Sequence, residues 1–271
     1  MLRHRLLPQK HRSPAKRWII MTPLLDVSGL SKFYGTRIGC KDVGFNLHAG
    51  EVLGIVGESG SGKSTLLSCL ARQQEPDAGS IFYGERNILT MGVPEHRQLT
   101  RTEWAFVHQN PRDGLRMGVS AGGNIGERLM AIGQRHYGNI RSEAEHWLAR
   151  VEIQTGRIDD KPRTFSGGMQ QRLQIARNLV TKPKLILMDE PTGGLDVSVQ
   201  ARLLDTMRGL VRDLGLAVII VTHDLAVVRL LADRALVMKD GHVVESGLAD
   251  QILDDPQHPY TQLLVSSVLQ A

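Results

Sequence analysis

The 271 residues are 41% hydrophobic and only 4% aromatic, with a formal net charge of +5, enough Leu, Val and Ile for a sizeable core. No run approaches the ~18 consecutive apolar residues of a bilayer-spanning helix, so no membrane span is expected and any membrane role would come through another subunit. The charge is unevenly placed: Arg3, Arg5, Lys10, Arg12, Lys16 and Arg17 stand in the first 25 residues without an acid, and the near-neutral remainder argues against direct nucleic-acid binding, which needs clustered Lys and Arg.

Residues 1–22 read as a basic, disordered extension, with Met21-Thr22-Pro23 as an alternative start just before the first strand. Cys40 and Cys69 suit a reducing, cytoplasmic compartment, Cys69 as a small buried apolar residue. Strands are predicted over 24–30, 43–47 and 80–83 as an antiparallel part. Those over 52–56, 104–107, 185–188, 217–221 and 234–238 alternate with helical patterns and predict a parallel sheet, hence an α/β fold. Residues 120–161 read as helical, with Ala144, Trp147, Leu148 and Val151 at i, i+3, i+4, i+7 on one apolar face. Val243-Val244 closes a last strand pair, and a helical tail starts near Leu248. The expected division is a core over 23–109 and 162–247, a helical subdomain over 110–161 and a tail over 248–271.

The chemistry is concentrated in two places. Gly57-Glu58-Ser59-Gly60-Ser61-Gly62-Lys63-Ser64-Thr65 is Gly-x-x-x-x-Gly-Lys-Ser/Thr between a strand and a helix. Its glycines let backbone N–H groups close around phosphates, and the following helix turns its positive end toward them. Lys63 is placed to reach the outer phosphates and the Ser64 hydroxyl to reach Mg²⁺. Further on, Leu185-Ile186-Leu187-Met188 ends in Asp189-Glu190, a buried strand delivering Asp189 toward the metal and Glu190 to polarise a water. Together they specify a nucleotide triphosphatase that uses Mg²⁺. Either motif alone has a plainer reading, an ordinary strand-to-helix turn or a solvated acidic pair.

Phe165-Ser166-Gly167-Gly168-Met169-Gln170-Gln171-Arg172 resembles the Leu-Ser-Gly-Gly-Gln signature of the ATP-binding-cassette family, and the likeness runs from Leu24 to the C-terminus. It implies a RecA-like parallel sheet core, an antiparallel β subdomain and an inserted helical subdomain. On the same resemblance, Tyr34 would stack on adenine and Gln109 would sense Mg²⁺ and the attacking water. Asp196 in Gly194-Leu195-Asp196 would belong to the D-loop, and His223 would be the switch that contacts the γ-phosphate. Taken singly, Tyr34 reads equally as a packing aromatic, Gln109 as a surface polar residue and His223 as a loop residue. The family also implies a head-to-tail homodimer, with Ser166, Gly167 and Gly168 of one chain at the ATP held by Lys63 of the other. Phe165 and Met169 depart from the family's Leu and Gln, yet the hydroxyl and glycines remain.

Within the family, Asn110 to Arg116, Ser120 to Met130, Arg135 to Gly138 and the ending from His258-Pro259-Tyr260-Thr261 resemble the ATP-binding subunits of bacterial carbon-phosphorus lyase systems. This implies a soluble ATPase that docks on the lyase core complex in phosphonate breakdown and does not itself cleave the C–P bond, since two cysteines cannot hold an iron-sulfur cluster. Asn110 to Gly138, carrying Asp113, Arg116, Glu127, Arg128 and Arg135, is the expected docking surface. The alternative is the ATPase of an oligopeptide or nickel importer, which shares the Pro-Thr-x-x-Leu-Asp-Val-Ser and His-Pro-Tyr-Thr features and usually extends further beyond the latter.

Overall fold

Turn chemistry and side-chain caps set most of the element boundaries. The computed structural model describes residues 22–268; the basic segment up to residue 21 lies outside the described residues. Strands β1 (Leu25–Tyr34) and β2 (Arg37–Leu47) form a hairpin through Gly35-Thr36, where Gly35 takes φ 61°. There follow β3 (Val52–Val56), α1 (Lys63–Leu70), β4 (Ala78–Tyr83), β5 (Arg86–Asn87), α2 (Val93–Thr102) and β6 (Trp104–Val107). A helical stretch comes next: α3 (Pro111–Gly114), α4 (Ala121–Ala131), α5 (Tyr137–Arg150) and α6 (Gly167–Leu179). The chain continues as β7 (Leu185–Asp189), α7 (Val197–Leu214), β8 (Ala217–Thr222), α8 (Leu225–Leu231), β9 (Arg234–Lys239), β10 (His242–Leu248), α9 (Ala249–Asp254) and α10 (Pro259–Val268). Ser120, Ser166 and Asp196 cap α4, α6 and α7 by accepting a backbone N–H three residues on. Helix α7 stops at Gly215, φ 60°.

The strands form two sheets. One is antiparallel, in the order β2-β1-β4-β5; the other has the order β10-β9-β3-β8-β7-β6, with every pair parallel except β10 on β9. Because strand side chains alternate, each central strand feeds two cores. Leu53, Ile55, Leu185, Leu187, Ile219 and Val221 pack toward the antiparallel sheet and α1, whereas Ile186, Met188, Val218 and Ile220 pack toward α4, α5, α6 and α7. Trp147, Leu148 and Ala144 of the predicted α5 face are buried in that second core. A third cluster joins β9 and the tip of β3 to α8, α9 and Tyr260 of α10.

The α/β class, the parallel sheet and the antiparallel part agree with the sequence expectation, with three differences. The stretch 120–161, expected to be helical, has no α-helix after Arg150 and only a 3-10 turn at Thr155–Arg157. Strand β1 runs four residues past Leu30 and β2 starts six before Val43, because irregular register between Val27 and Phe33 breaks the period-two pattern that marks a strand. Helix α2 went unpredicted because Leu99 is its only buried residue, which leaves no apolar stripe.

Candidate nucleotide site

Parallel pairing brings the ends of β3, β6, β7 and β8 to one edge of the sheet. Val56 pairs with Thr222, Asp189 with Val221 and Val107 with Met188, so the residues after these strands meet where open α/β sheets form their crevice. The loop after β3 is a glycine turn of necessity. Gly57, Gly60 and Gly62 take φ 152°, 85° and 103°, and a Cβ would come within 2.2 Å of Met238 O at Gly57 and 2.1 Å of Gly39 O at Gly62. Beside this loop lies a cleft of about 990 Å³ lined by Tyr34, Arg37, Gly39, Gly57, Ser59, Gly60, Gly62, Lys63, Ser64, Thr65, Gln109, Glu190, His223 and Leu264.

Lys63 is buried and its Nζ donates to Gly57 O at 2.7 Å and Glu58 O at 2.9 Å. Burial lowers its pKa, opposed by the charges of Glu190, Asp189 and Glu58. Ser64 Oγ donates to Asp189 Oδ1 at 3.2 Å. Asp189 sits above the ordinary carboxylate range, chiefly through burial, with the Ser64 hydrogen bond and Lys63 opposing and Glu190 adding to the rise. A hydroxyl and a desolvated carboxylate are hard oxygen donors suited to Mg²⁺. Among the described residues no group of three His, Cys, Asp or Glu could hold a metal, so such an ion would complete its coordination with other oxygens, from Gln109, phosphate or water.

Glu190 has φ 42° and is 9% exposed. Its N–H donates to Val221 O at 2.8 Å, and its carboxylate accepts from Thr222 Oγ1 at 3.4 Å and lies 2.9 Å from His223 Nδ1. A left-handed conformation at a non-glycine residue is costly and persists only where neighbours fix it; here they fix the carboxylate at the strand end beside Lys63. Tyr34 is half exposed at the cleft edge, its hydroxyl donating to Gln74.

Of the sequence-predicted residues, Asp189 meets this cleft through Ser64, and Ser166, Gly167, Gly168 and Asp196 do not line it. Ser166 caps α6, accepting from Met169 N at 3.4 Å; Gly168 abuts α7, where a Cβ would lie 2.4 Å from Val199 Cγ1; and Asp196 caps α7, accepting from Val199 N at 2.9 Å. Gly167 instead lines a second cleft of about 420 Å³ with Gly193, Gly194, Leu195 and Gln109. Gln109 thus touches both clefts. Its position is tied to α6: His108 N donates to Gln174 Oε1 at 2.6 Å, and His108 O accepts from Gln174 Nε2 at 3.1 Å and Gln171 Nε2 at 3.4 Å.

Arg37, Gly39, Leu264, Gln171 and Gln174 are contributors that sequence reasoning missed. Gln171, Gln174 and Asn178, at i, i+3 and i+7, form a buried polar stripe that could have been read as a backbone clamp. The others carry no local signal.

The expected docking surface needs one correction. Arg128 is largely buried in a cavity between α2, β6 and α6, donates to Thr100 O at 3.1 Å, and is pushed down to about 10 by burial, with Arg177 adding to the drop. It holds elements together, whereas Arg116 is exposed and pairs with Glu127 at 2.8 Å. Arg128→Glu therefore destabilises the fold by about 2–4 kcal/mol, since it places an unpaired carboxylate beside Glu127 in a largely buried site. Urea unfolding at neutral pH measures this, and an unchanged midpoint would return Arg128 to the surface.

Residues 40–193 match the family model described as ABC transporter. The chain is 68% identical over 248 residues to PhnK of Escherichia coli (strain K12), named as a phosphonates utilization ATP-binding protein, covering 92% of this chain and 98% of that one. It is 37% identical to the dipeptide transport ATP-binding protein DppF of the same organism, covering 92% and 77%. Among solved structures it superposes with a TM-score of 0.76 at 29% identity on a dimeric post-hydrolysis state of the ATP-binding cassette MJ0796 bound to ADP and Pi, covering 83% and 98%. The TM-score is also 0.76, at 28% identity, for cbiO1 from Clostridium perfringens, part of the transporter complex cbiONQ, covering 86% and 92%.

Proposed function

The chain belongs to the ABC transporter family and is an ATPase of that class, and we propose on this basis that it powers a phosphonate-utilisation system as a dimer docked on a carbon-phosphorus lyase core complex. The observation that carries the ATPase reading at this site is the convergence of Lys63, Ser64, Asp189, Glu190 and His223 at one sheet edge. The phosphonate assignment is supported by the much higher identity to PhnK than to DppF.

In this reading the glycine loop and the first turn of α1 bind the phosphates, through backbone N–H groups and the positive helix end. Lys63 exchanges its two carbonyl partners for phosphate oxygens, and the unshielded carboxylates beside it favour keeping its charge. Tyr34 stacks on the base. Ser64, Asp189 and Gln109 are the residues that would hold Mg²⁺, which when bound neutralises phosphate charge. Glu190 takes the proton of the attacking water, and His223, 2.9 Å from that carboxylate, orients it and the terminal phosphate. Ser166, Gly167 and Gly168 act on the nucleotide of the partner chain, with Asp196 in the loop between the two sites. The division into core, helical subdomain over 110–161 and tail belongs to the same proposal. No helix among the described residues is long and apolar enough to cross a membrane; a soluble, cytoplasmic location belongs to the same proposal.

Affinity purification of the chain from cells grown on a phosphonate as sole phosphorus source, with a slowly hydrolysed ATP analogue present, tests the assignment. Carbon-phosphorus lyase subunits should co-purify at near-stoichiometric yield. Recovery of integral membrane permeases in their place would establish the importer alternative, to which the 37% identity with DppF points.

A further inference from the structure

The C-terminal helix α10 starts at Pro259, well beyond residue 193 where the stretch matched by the family model ends, yet it touches the phosphate-binding loop. The hydroxyl of Tyr260 accepts a hydrogen bond from the N–H of Glu58 at 3.0 Å. Leu264, one turn further along, lines the nucleotide cleft. Tyr260 is 6% exposed, packs in one cluster with Val56, Val237 and Ile252, and has Lys239 Nζ 4.9 Å from its ring centroid. The approach to the helix is anchored as well: the carboxylate of Glu245 on β10 accepts from Gln257 N at 2.8 Å and His258 N at 3.0 Å, and His258 Nδ1 accepts from Tyr260 N at 3.1 Å.

The bond falls at a sensitive place in the loop. Glu58 O accepts from Lys63 Nζ at 2.9 Å, next to Gly57 O at 2.7 Å. The residue whose N–H is held by Tyr260 is therefore one of the two whose carbonyls hold the ammonium. A hydroxyl acceptor on that N–H fixes the shoulder of the loop before nucleotide arrives. Fixing a loop in its binding conformation raises affinity by removing the ordering cost of association.

We propose that Tyr260 is a positioning residue for nucleotide binding, its hydroxyl holding the Glu58 peptide and so setting the loop and Lys63 for phosphate, which makes α10 a working wall of the nucleotide site. This rests on the ATPase reading above. The bond does not involve the water-activating carboxylate of Glu190, so its loss should act on affinity and spare the chemical step.

The test is Tyr260→Phe in the full chain, with MgATP as the probe. The variant should raise both Kd and KM for MgATP about five- to tenfold, the size of one lost hydrogen bond. Its kcat at saturation should stay within about twofold of the parent, and amide hydrogen exchange at Glu58 should be faster in the nucleotide-free chain. Faster exchange with unchanged Kd and KM would overturn the proposal, as would a fall in kcat with KM unaltered. A lower melting temperature alone, with the parent's affinity, would reduce Tyr260 to a packing residue and overturn it too. Failure of the parent chain itself to bind MgATP would instead sink the ATPase reading of this site, and the inference with it.

Discussion

Replacing Glu190 with Gln lowers steady-state ATP hydrolysis by at least about 10²-fold, the usual contribution of a positioned general base, while ATP still binds and the ATP-loaded dimer accumulates. The variant retains the shape of the side chain, its approach to Thr222 and His223 and the left-handed backbone at φ 42°, but loses the basic oxygen. In the proposed site Lys63 and the glycine loop hold nucleotide without it. In the proposed dimer ATP binds the closed pair better than separate chains, so a dimer that cannot hydrolyse ATP should stay closed by mass action. Sedimentation of the variant with and without MgATP, beside a phosphate-release assay, checks both halves. A rate near that of the parent chain would remove Glu190 from the chemistry.

The second large effect is expected of Ser166→Arg, which should abolish hydrolysis while leaving MgATP affinity of the dilute monomer unchanged. Ser166 does not line the Lys63 cleft, and α6 starts instead on the second cleft with Gly193, Gly194 and Leu195. A helix start offers unpaired N–H groups and about half a positive charge, and no phosphate held by the same chain's loop is there to use them. The bulky cation blocks a partner's phosphate, and loss of the cap costs about 1 kcal/mol, too little to unfold the domain. Mixing makes the test sharp. Ser166→Arg and Lys63→Ala chains, each inactive alone, should regain hydrolysis together, because one of the two head-to-tail sites then has both its lysine and its serine intact. If the mixture stays inactive while each variant remains folded, signature and loop serve the same nucleotide within one chain.

Much of the fold was legible because its central strands are apolar runs bounded by turns. Val52–Val56, Leu185–Asp189 and Ala217–Thr222 are buried on both faces, and burial on both faces writes itself as continuous Val, Ile and Leu. The irregular β1–β2 hairpin and the polar helix α2 broke those rules and were misjudged for that reason. In the site, the loop and the acidic strand end were legible because phosphate binding demands glycine at strained turns and a lysine at fixed spacing, a constraint local in sequence. Arg128 was misplaced because an arginine in a polar stretch reads as solvated, and only the packing of α2, β6 and α6 around it reveals a buried guanidinium.

By itself, then, the sequence determined the α/β class, the phosphate loop and its lysine, the acidic pair and the signature, since each is fixed by spacing along a single strand, turn or helix. Only the tertiary structure decided which of these share a cleft. The parallel register sets Asp189, Glu190, His223 and Gln109 around Lys63, and packing on α7 directs the start of α6 to a different cleft. The contact of Tyr260 with Glu58 spans 202 residues. A hydrogen bond between such distant positions depends on how β9, β10 and α10 pack against the end of β3, and no local pattern of residues encodes that geometry.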